Sequence, residues 1–229
     1  MADMHRQLGL DLPSRTALER DAFFVAPSNA MALAMIDGWQ QWAGGKLVLT
    51  GPAGSGKTHL AHVWAEMSGA AIVQASSLPE ADIPALAQTN IAVEDIPAIA
   101  ENPEAQTALF HLHNLVLAEG HALLLTGTPP VQHWGLTLPD LVSRLRGATA
   151  VALEAPDDAL LSALLVKLLA DRQLTPKPDL IPYLLTRMDR SFAAAIDLIA
   201  RLDAASIALK RPITRHLAMQ VLDKDHPAA

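Results

Sequence analysis

The chain has 229 residues, 51% of them hydrophobic, and a formal net charge of −7. This length accommodates a domain with a sizeable core and a smaller appendage, and the apolar content argues against extensive disorder. The acidic balance argues against tight, non-specific binding to a nucleic acid, because such binding requires many phosphates to be neutralised. The chain contains no cysteine, which excludes disulfides and thiolate metal sites. Without a signal peptide or an apolar run of bilayer length, the sequence predicts a cytoplasmic protein that contacts no membrane.

Residues 1–22 are predicted to be a tail outside any domain. In this tail a glutamine is followed by leucines at alternate positions, and alternate side chains share one face of an extended segment. Such a pattern is typical of a short peptide motif that places apolar side chains in a groove of a partner. The residues expected to bind this partner are Gln7, Leu8, Leu10 and Leu12.

An amphipathic helix is predicted next, with Ser28 as its N-cap and an end near Trp42, before two glycines. A strand over 46–50 then leads into Gly-Pro-Ala-Gly-Ser-Gly-Lys-Thr, and a helix over 58–68 follows. This order is the setting of a phosphate-binding P-loop, whose backbone N–H groups and lysine hold phosphates while the threonine hydroxyl binds Mg²⁺. The sequence therefore predicts bound ATP or ADP with Mg²⁺, without deciding between the two nucleotides. The residues expected to bind nucleotide are Gly51, Pro52, Ala53, Gly54, Ser55, Gly56, Lys57 and Thr58, together with His59.

Four more strands are predicted, over 71–74, 90–94, 121–126 and 148–153. The clearest of the helices between them has a capping Asn102, Pro103 at its first position and Gly120 just beyond its end. Strands that are apolar on both faces and alternate with helices indicate a parallel sheet covered on both sides. The predicted fold class is thus α/β, with a five-stranded parallel sheet in a P-loop core over residues 23–155.

The composition changes after Pro156, where only helical periodicity remains. We therefore predict an all-helical lid over residues 156–229, with helices at 158–173, 178–188, 191–210 and 214–222.

Two carboxylates, Glu94 and Asp95, lie at the end of the third strand. A P-loop needs an acidic group at the end of a neighbouring strand to hold the Mg²⁺ shell, and a second one can polarise the attacking water. We expect Thr58 and Glu94 on the metal side, but the sequence leaves open which carboxylate serves the metal. Thr128, after the fourth strand, is expected to reach the γ-phosphate with its hydroxyl.

Two arginines are candidates for stabilising phosphate charge, since a guanidinium can spread that charge and be supplied by another subunit. Arg144 follows a short amphipathic segment, and Arg190 begins the third lid helix. The histidines, in contrast, have no spacing typical of a metal site.

Together these features resemble the AAA+ ATPases and, within them, the DnaA-type replication initiators. Residues 23–32 resemble the box that lies against the nucleotide base, and residues 109–114 resemble the helix after the Walker B strand. Leu-x-Ser-Arg-Leu at 141–145 resembles the box with the arginine finger, and Met-Asp-Arg at 188–190 matches the sensor 2 position. The resemblance covers residues 23 to about 223 and implies these roles for Arg144 and Arg190.

DnaA initiators also carry a helicase-contacting domain and a DNA-binding helix-turn-helix, neither of which is expected in a chain of this length. The tail instead resembles the hexapeptide that docks on the replicative sliding clamp. The resemblance is therefore to the Hda-type DnaA-related regulators. It implies two partners, the β sliding clamp of DNA polymerase III and DnaA, and stimulation of ATP hydrolysis on DnaA, which represses reinitiation of replication. It leaves a homodimer open and implies no sequence-specific DNA binding.

Three departures from the family pattern predict weak ATP hydrolysis by the chain itself. Glu94 stands where aspartate is usual, Thr126-Gly-Thr128 lacks the carboxylate of sensor 1, and Ala26 replaces a common glycine. The bound nucleotide is then expected to act mainly as a conformational latch. The alternative function is that of a DnaC/IstB-like helicase loader or transposition helper, against which the acidic balance and the clamp-like tail argue.

Overall fold

The computed structural model describes residues 25–223, so the tail and the residues predicted to bind the clamp lie outside the described part. A parallel sheet forms the centre of the core, which we define as residues 25–155. Its five strands run in the order β2-β3-β4-β1-β5, which places β4 between the P-loop strand and the strand that ends in the two carboxylates. The strands are β1 Lys46–Thr50, β2 Ala71–Gln74, β3 Ile91–Glu94, β4 Leu123–Gly127 and β5 Thr149–Ala152. The predicted five-stranded parallel sheet is confirmed.

Helices cover both faces of this sheet because successive strand residues point to opposite sides. Leu47 and Leu49 of β1 pack with α1 (Ala30–Asp37) and α2 (Lys57–Ser68). Val48, between them, packs on the other face. The helices on that face are α3 (Ile83–Leu86), α4 (Pro103–Ala118) and α5 (Pro139–Arg146). The apolar strand runs thus supply two cores, one on each side of the sheet.

The first helix differs from the prediction at both ends. Asn29 is its N-cap residue, one position after Ser28, and the helix ends at Gly38. Short 3₁₀ turns at Trp39–Gln41 and Ala43–Gly45 replace the predicted last turn. Tertiary packing explains the early end: the Trp42 indole donates to the Met35 carbonyl at 2.7 Å and its ring stacks on Trp64, with ring centroids 5.1 Å apart.

The helix predicted from Asn102 is present as α4. The Asn102 side chain accepts a hydrogen bond from the Ala105 N–H at 3.0 Å, and Pro103 occupies the first helical position. The start of α4 is therefore determined by its local capping residues, as predicted from the sequence.

The lid, residues 156–223 as described, is all-helical as predicted. It comprises α6 (Asp158–Asp171), α7 (Leu180–Leu185), α8 (Phe192–Leu209) and α9 (Arg215–Asp223). These helices enclose an apolar core of their own. Tyr183 belongs to this core, and the guanidinium groups of Arg187 and Arg215 lie 4.6 and 4.8 Å from the centroid of its ring. Over residues 25–223, no helix combines the length and the apolarity needed to cross a membrane.

Candidate nucleotide-binding site

A cavity of about 310 Å³ opens where β1, β3 and β4 end. The carboxyl ends of parallel strands meet at one edge of a sheet, so residues far apart in the sequence line this cavity together. Its lining residues are Ala53, Lys57, Thr58, Gln74, Glu94, Asp95, Thr126, Gly127 and Thr128. The structure thus brings together five of the predicted nucleotide and metal residues, namely Ala53, Lys57, Thr58, Glu94 and Thr128, with Asp95 beside them.

The P-loop fits a phosphate group through its backbone. Gly54 and Gly56 have φ angles of 70° and 98°, in the left-handed region that favours glycine. The second of these glycines precedes α2, whose first residue is Lys57. The N–H groups at this helix start therefore face the cavity side, which is a favourable arrangement for an anion.

Lys57 and Thr128 both bond to the start of the loop. The Lys57 ammonium donates to the carbonyls of Gly51 and Pro52, at 2.8 and 2.9 Å. The Thr128 hydroxyl donates to the Gly51 carbonyl at 2.6 Å. Burial lowers the pKa of Lys57, while the carboxylates of Asp95 and Glu94 act in the opposite direction. Lys57 and Thr128 thus meet at the start of the loop, in the same cavity as the two carboxylates.

The two carboxylates differ in their surroundings. Glu94 is only 4% exposed, and its Oε2 accepts a hydrogen bond from the Gln74 side chain at 3.3 Å. Its Oε1 is buried and has no hydrogen-bond partner among the described residues. Such an atom is costly unless something else satisfies it, and a water of a Mg²⁺ shell would do so. Glu94 and Thr58 therefore fit the metal that the P-loop implies, and they are the residues that would hold it.

Asp95 is exposed and adopts a left-handed conformation with φ 55°. Its backbone N–H donates to the Thr126 hydroxyl of the neighbouring strand β4 at 3.2 Å. This bond fixes the turn after β3 and directs the two carboxylates differently. Asp95 is the group better placed to contact water, because solvent reaches it.

The remaining predicted residues lie around the cavity or away from it. Ser55 is buried within the loop, and His59 lies on α2, where burial lowers its pKa. Arg190 does not line the cavity but pairs with Asp158 at the start of α6, at 2.8 Å, with both side chains more than half exposed. Within residues 25–223 there is no group of three or more His, Asp or Glu that could hold a metal ion.

Arg144 lies on α5, away from the cavity. It is exposed, and its guanidinium sits 5.2 Å from the centroid of the Phe110 ring. Phe110 precedes His113 by one turn of α4, and His113 lies 3.1 Å from the ammonium of Lys46, the first residue of β1. The ends of a five-residue strand are about 13 Å apart, and the P-loop begins beyond the other end of β1. Arg144 is therefore remote from the P-loop of its own chain.

Comparisons with known proteins agree with this architecture. Domain III of the Thermotoga maritima replication initiation protein DnaA superposes with a TM-score of 0.79, covering 93% of this chain and 98% of that one at 17% identity. AMPPCP-bound DnaA from Aquifex aeolicus gives a TM-score of 0.74 at 17% identity, covering 93% of this chain and 70% of that one. The Thermotoga maritima RuvB Holliday junction branch migration motor gives 0.70 at 16% identity, with coverages of 90% and 71%. These likenesses concern the fold.

Residues 157–222 match the family model described as "Hda, lid domain". The lid is thus similar to the lid domain of Hda, and the chain as a whole has the fold of DnaA domain III.

Two features of this site were not predicted from the sequence. Gln74 supports Glu94 from the adjacent strand, because the two residues are paired across β2 and β3. The lid also touches the P-loop: the Phe192 N–H donates to the Gly54 carbonyl at 2.9 Å. A Cβ at Gly54 would meet Ser191, and one at Gly56 would lie 3.4 Å from the Phe192 ring. The absence of side chains at these glycines thus allows the lid to approach the loop as well.

Proposed function

We propose that this protein is a nucleotide-binding AAA+ regulator that stimulates hydrolysis of ATP bound to DnaA and so represses reinitiation of chromosome replication. The observation that carries the proposal is Arg144, an exposed arginine remote from its own P-loop on a chain with an Hda-type lid. A guanidinium in that position is available to a nucleotide on a partner.

The position of α5 supports action on another subunit. Leu141 and Leu145 of this helix are buried in the core, which holds the helix in place, whereas Arg144 faces outward between them. The Phe110 ring beneath the guanidinium restricts its motion without neutralising its charge. An arginine supplied to a transferring phosphate in this way raises the hydrolysis rate by roughly 10³–10⁵-fold.

The protein's own nucleotide, ATP or ADP, is proposed to act as a conformational latch. Lys57, Thr58 and the loop N–H groups would bind its phosphates, and Thr58 and Glu94 would hold Mg²⁺. Because the lid is bonded to the loop at Gly54, a nucleotide in the loop would influence the position of the lid. Arg190 would contribute after leaving Asp158. Hydrolysis by this site is proposed to be slow, with Asp95 and Thr128 as the groups nearest the attacking water.

Arg144→Ala tests the proposed action on DnaA. DnaA loaded with ATP is mixed with an excess of the protein, and its hydrolysis is followed in a single turnover. Arg146→Ala is the matched control, because Arg146 is an exposed arginine two residues further along the same helix. We expect Arg144→Ala to lose stimulation by at least about 10³-fold, and Arg146→Ala to retain it. Equal stimulation by the wild type and Arg144→Ala would refute the proposed role.

The partner that brings the protein to DNA is proposed to be the β sliding clamp, bound through Gln7, Leu8, Leu10 and Leu12 of the tail, in the cytoplasm. Replacing Gln7 and Leu12 by alanine is expected to abolish capture by purified clamp while nucleotide affinity stays unchanged. Arg15→Ala, in the same tail but outside the motif, is the control. Undiminished capture by the double variant would exclude this role of the tail.

A further inference from the structure

A second cation, Lys46, lies beside Arg144 on the part of the core remote from the P-loop. Its ammonium is 3.1 Å from Nε2 of His113, and the Arg144 guanidinium lies over Phe110, one turn earlier on α4. Residues three apart on a helix are neighbours on its surface. The two cations therefore flank the same stretch of α4.

His113 holds Lys46 without cancelling its charge. Burial and the neighbouring charges of Lys46 and Arg144 lower the pKa of His113 to about 4, so its ring is neutral at pH 7. With Nε2 accepting from the Lys46 ammonium, the ring proton is on Nδ1, which donates to the Asn114 side chain at 3.3 Å. The lysine is thus oriented by a neutral acceptor.

Neither cation has an acidic partner in the part of the chain that the structure describes. Among residues 25–223, the salt bridges do not include Lys46 or Arg144, and Asp140, one turn before Arg144, is not paired with it. The chain nevertheless has 24 Asp and Glu against 17 Lys and Arg, so carboxylates are abundant elsewhere. Two cations close together repel each other, and an anion bound between them would remove this cost. No carboxylate of residues 25–223 forms a salt bridge that would supply such an anion.

We infer that Lys46 and Arg144 form a two-cation site for the phosphates of a nucleotide held by another AAA+ subunit, with Lys46 supplying affinity and Arg144 acting in the transition state. The inference rests on the proposed function, since it adds a residue to the same surface. The roles differ because Lys46 is half-buried and hydrogen-bonded to His113, which holds its ammonium in place. Arg144 is exposed, and its planar guanidinium can bind the phosphate oxygens on which negative charge develops in the transition state. Lys46 would bind phosphate oxygens that carry charge already in the ground state.

Lys46→Met tests this division, because methionine keeps much of the apolar stem and removes the charge. The variant is titrated against ATP-loaded DnaA, and the half-saturating concentration and the maximal single-turnover rate are measured separately. We expect the half-saturating concentration to rise about tenfold, as for the loss of one charge-assisted hydrogen bond, and the maximal rate to stay within about twofold. Lys46→Arg should restore the affinity. Lys177→Met, an exposed lysine of the lid, is the control and should match the wild type.

An unchanged half-saturating concentration for Lys46→Met would overturn the inference, whether or not the maximal rate falls. A second measurement does not involve DnaA. The protein, saturated with its own nucleotide, is titrated with inorganic tripolyphosphate while the His113 ring is followed by NMR. We expect the pKa of His113 to rise in the wild type and not in a Lys46→Met, Arg144→Ala double variant.

The two measurements separate the two hypotheses. A His113 response without stimulated hydrolysis would reject the proposed function and retain the anion site. The absence of a His113 response would reject the site, whatever happens on DnaA.

Discussion

Gln106 of α4 is fully buried, and its side chain joins two loops of the core. Its amide nitrogen donates to the carbonyls of Ile99 and Ala100, at 3.1 and 2.8 Å. Its amide oxygen accepts from the backbone N–H groups of Thr137 and Leu138, at 2.9 and 3.0 Å. Because Leu138 is the N-cap residue of α5, this one side chain fixes where the arginine-bearing helix begins. We predict that Gln106→Met destabilises the core and impairs the action of Arg144.

The magnitude follows from the four hydrogen bonds to backbone groups. Methionine has nearly the same shape as glutamine but can form none of them, so the Ala100 carbonyl and the two N–H groups lose their partner, while the Ile99 carbonyl keeps the Asn102 N–H. A buried polar group without a partner costs about 1–3 kcal/mol, and local relaxation would recover part of the total. We expect the free energy of unfolding to fall by about 4 kcal/mol, which is at the upper end for a single substitution. With a urea m-value of about 2 kcal/mol/M, the midpoint would fall by about 2 M.

Urea unfolding followed by far-UV circular dichroism measures this change. Gln88→Met is the matched control, because Gln88 is an exposed glutamine of the same core, and its midpoint should stay unchanged. A loss below about 1 kcal/mol for Gln106→Met would show that the four bonds do not hold the two loops as described. Hydrolysis on DnaA, measured below the unfolding transition, would then also be normal.

Three further predictions concern the charged groups. Glu94→Gln keeps the shape of the side chain but removes its charge, so the part of the nucleotide affinity that depends on Mg²⁺ should fall about tenfold, as for one lost ionic contact. Calorimetry with and without Mg²⁺ measures this, and equal losses of affinity in both conditions would contradict the prediction. Asp158→Asn frees Arg190, and since an exposed salt bridge contributes at most about 1 kcal/mol, nucleotide affinity should rise by about twofold to fivefold. Asp179→Asn is the control, and an unchanged affinity in Asp158→Asn would place Arg190 outside the site. The pKa of His113 lies below its ordinary value of 6.5, at about 4, so the unfolded chain binds more protons in this interval. The free energy of unfolding is therefore expected to fall by about 3 kcal/mol at most as the pH drops from 6.5 towards 4. Urea midpoints across the pH series should show a smaller loss in His113→Gln than in the exposed control His111→Gln.

The sheet and the P-loop were predictable because local signals and tertiary packing agree in these segments. The strand at 46–50 is an apolar run that ends at a glycine, and both of its faces are buried, so no other secondary structure competes. The first helix was predicted too long because its end is decided by Trp42, whose indole bonds back to Met35 and stacks on α2. Amphipathic periodicity alone contains no information about that contact.

The site was predicted where the residues are close in sequence and missed where they meet across elements. Glu94 ends an apolar strand and is therefore visible in the sequence, whereas Gln74 supports it only because β2 pairs with β3 in that register. A polar residue that ends a neighbouring strand is the signal that would have indicated it. Nothing in the sequence around Phe192 indicates its bond to the P-loop, since that contact depends on how the lid is placed.

The distribution of aromatic residues gives each half of the molecule its own optical signal. All four tryptophans lie between residues 39 and 134, and the single tyrosine is Tyr183 of the lid. Tryptophan emission therefore reports on the core alone, and tyrosine absorbance reports on the lid alone. Trp64 lies on the helix that starts at Lys57, so its stacking with Trp42 provides a near-UV signal connected to the P-loop. One unlabelled sample would thus show whether the lid melts before the core, and whether a nucleotide makes the two melt together.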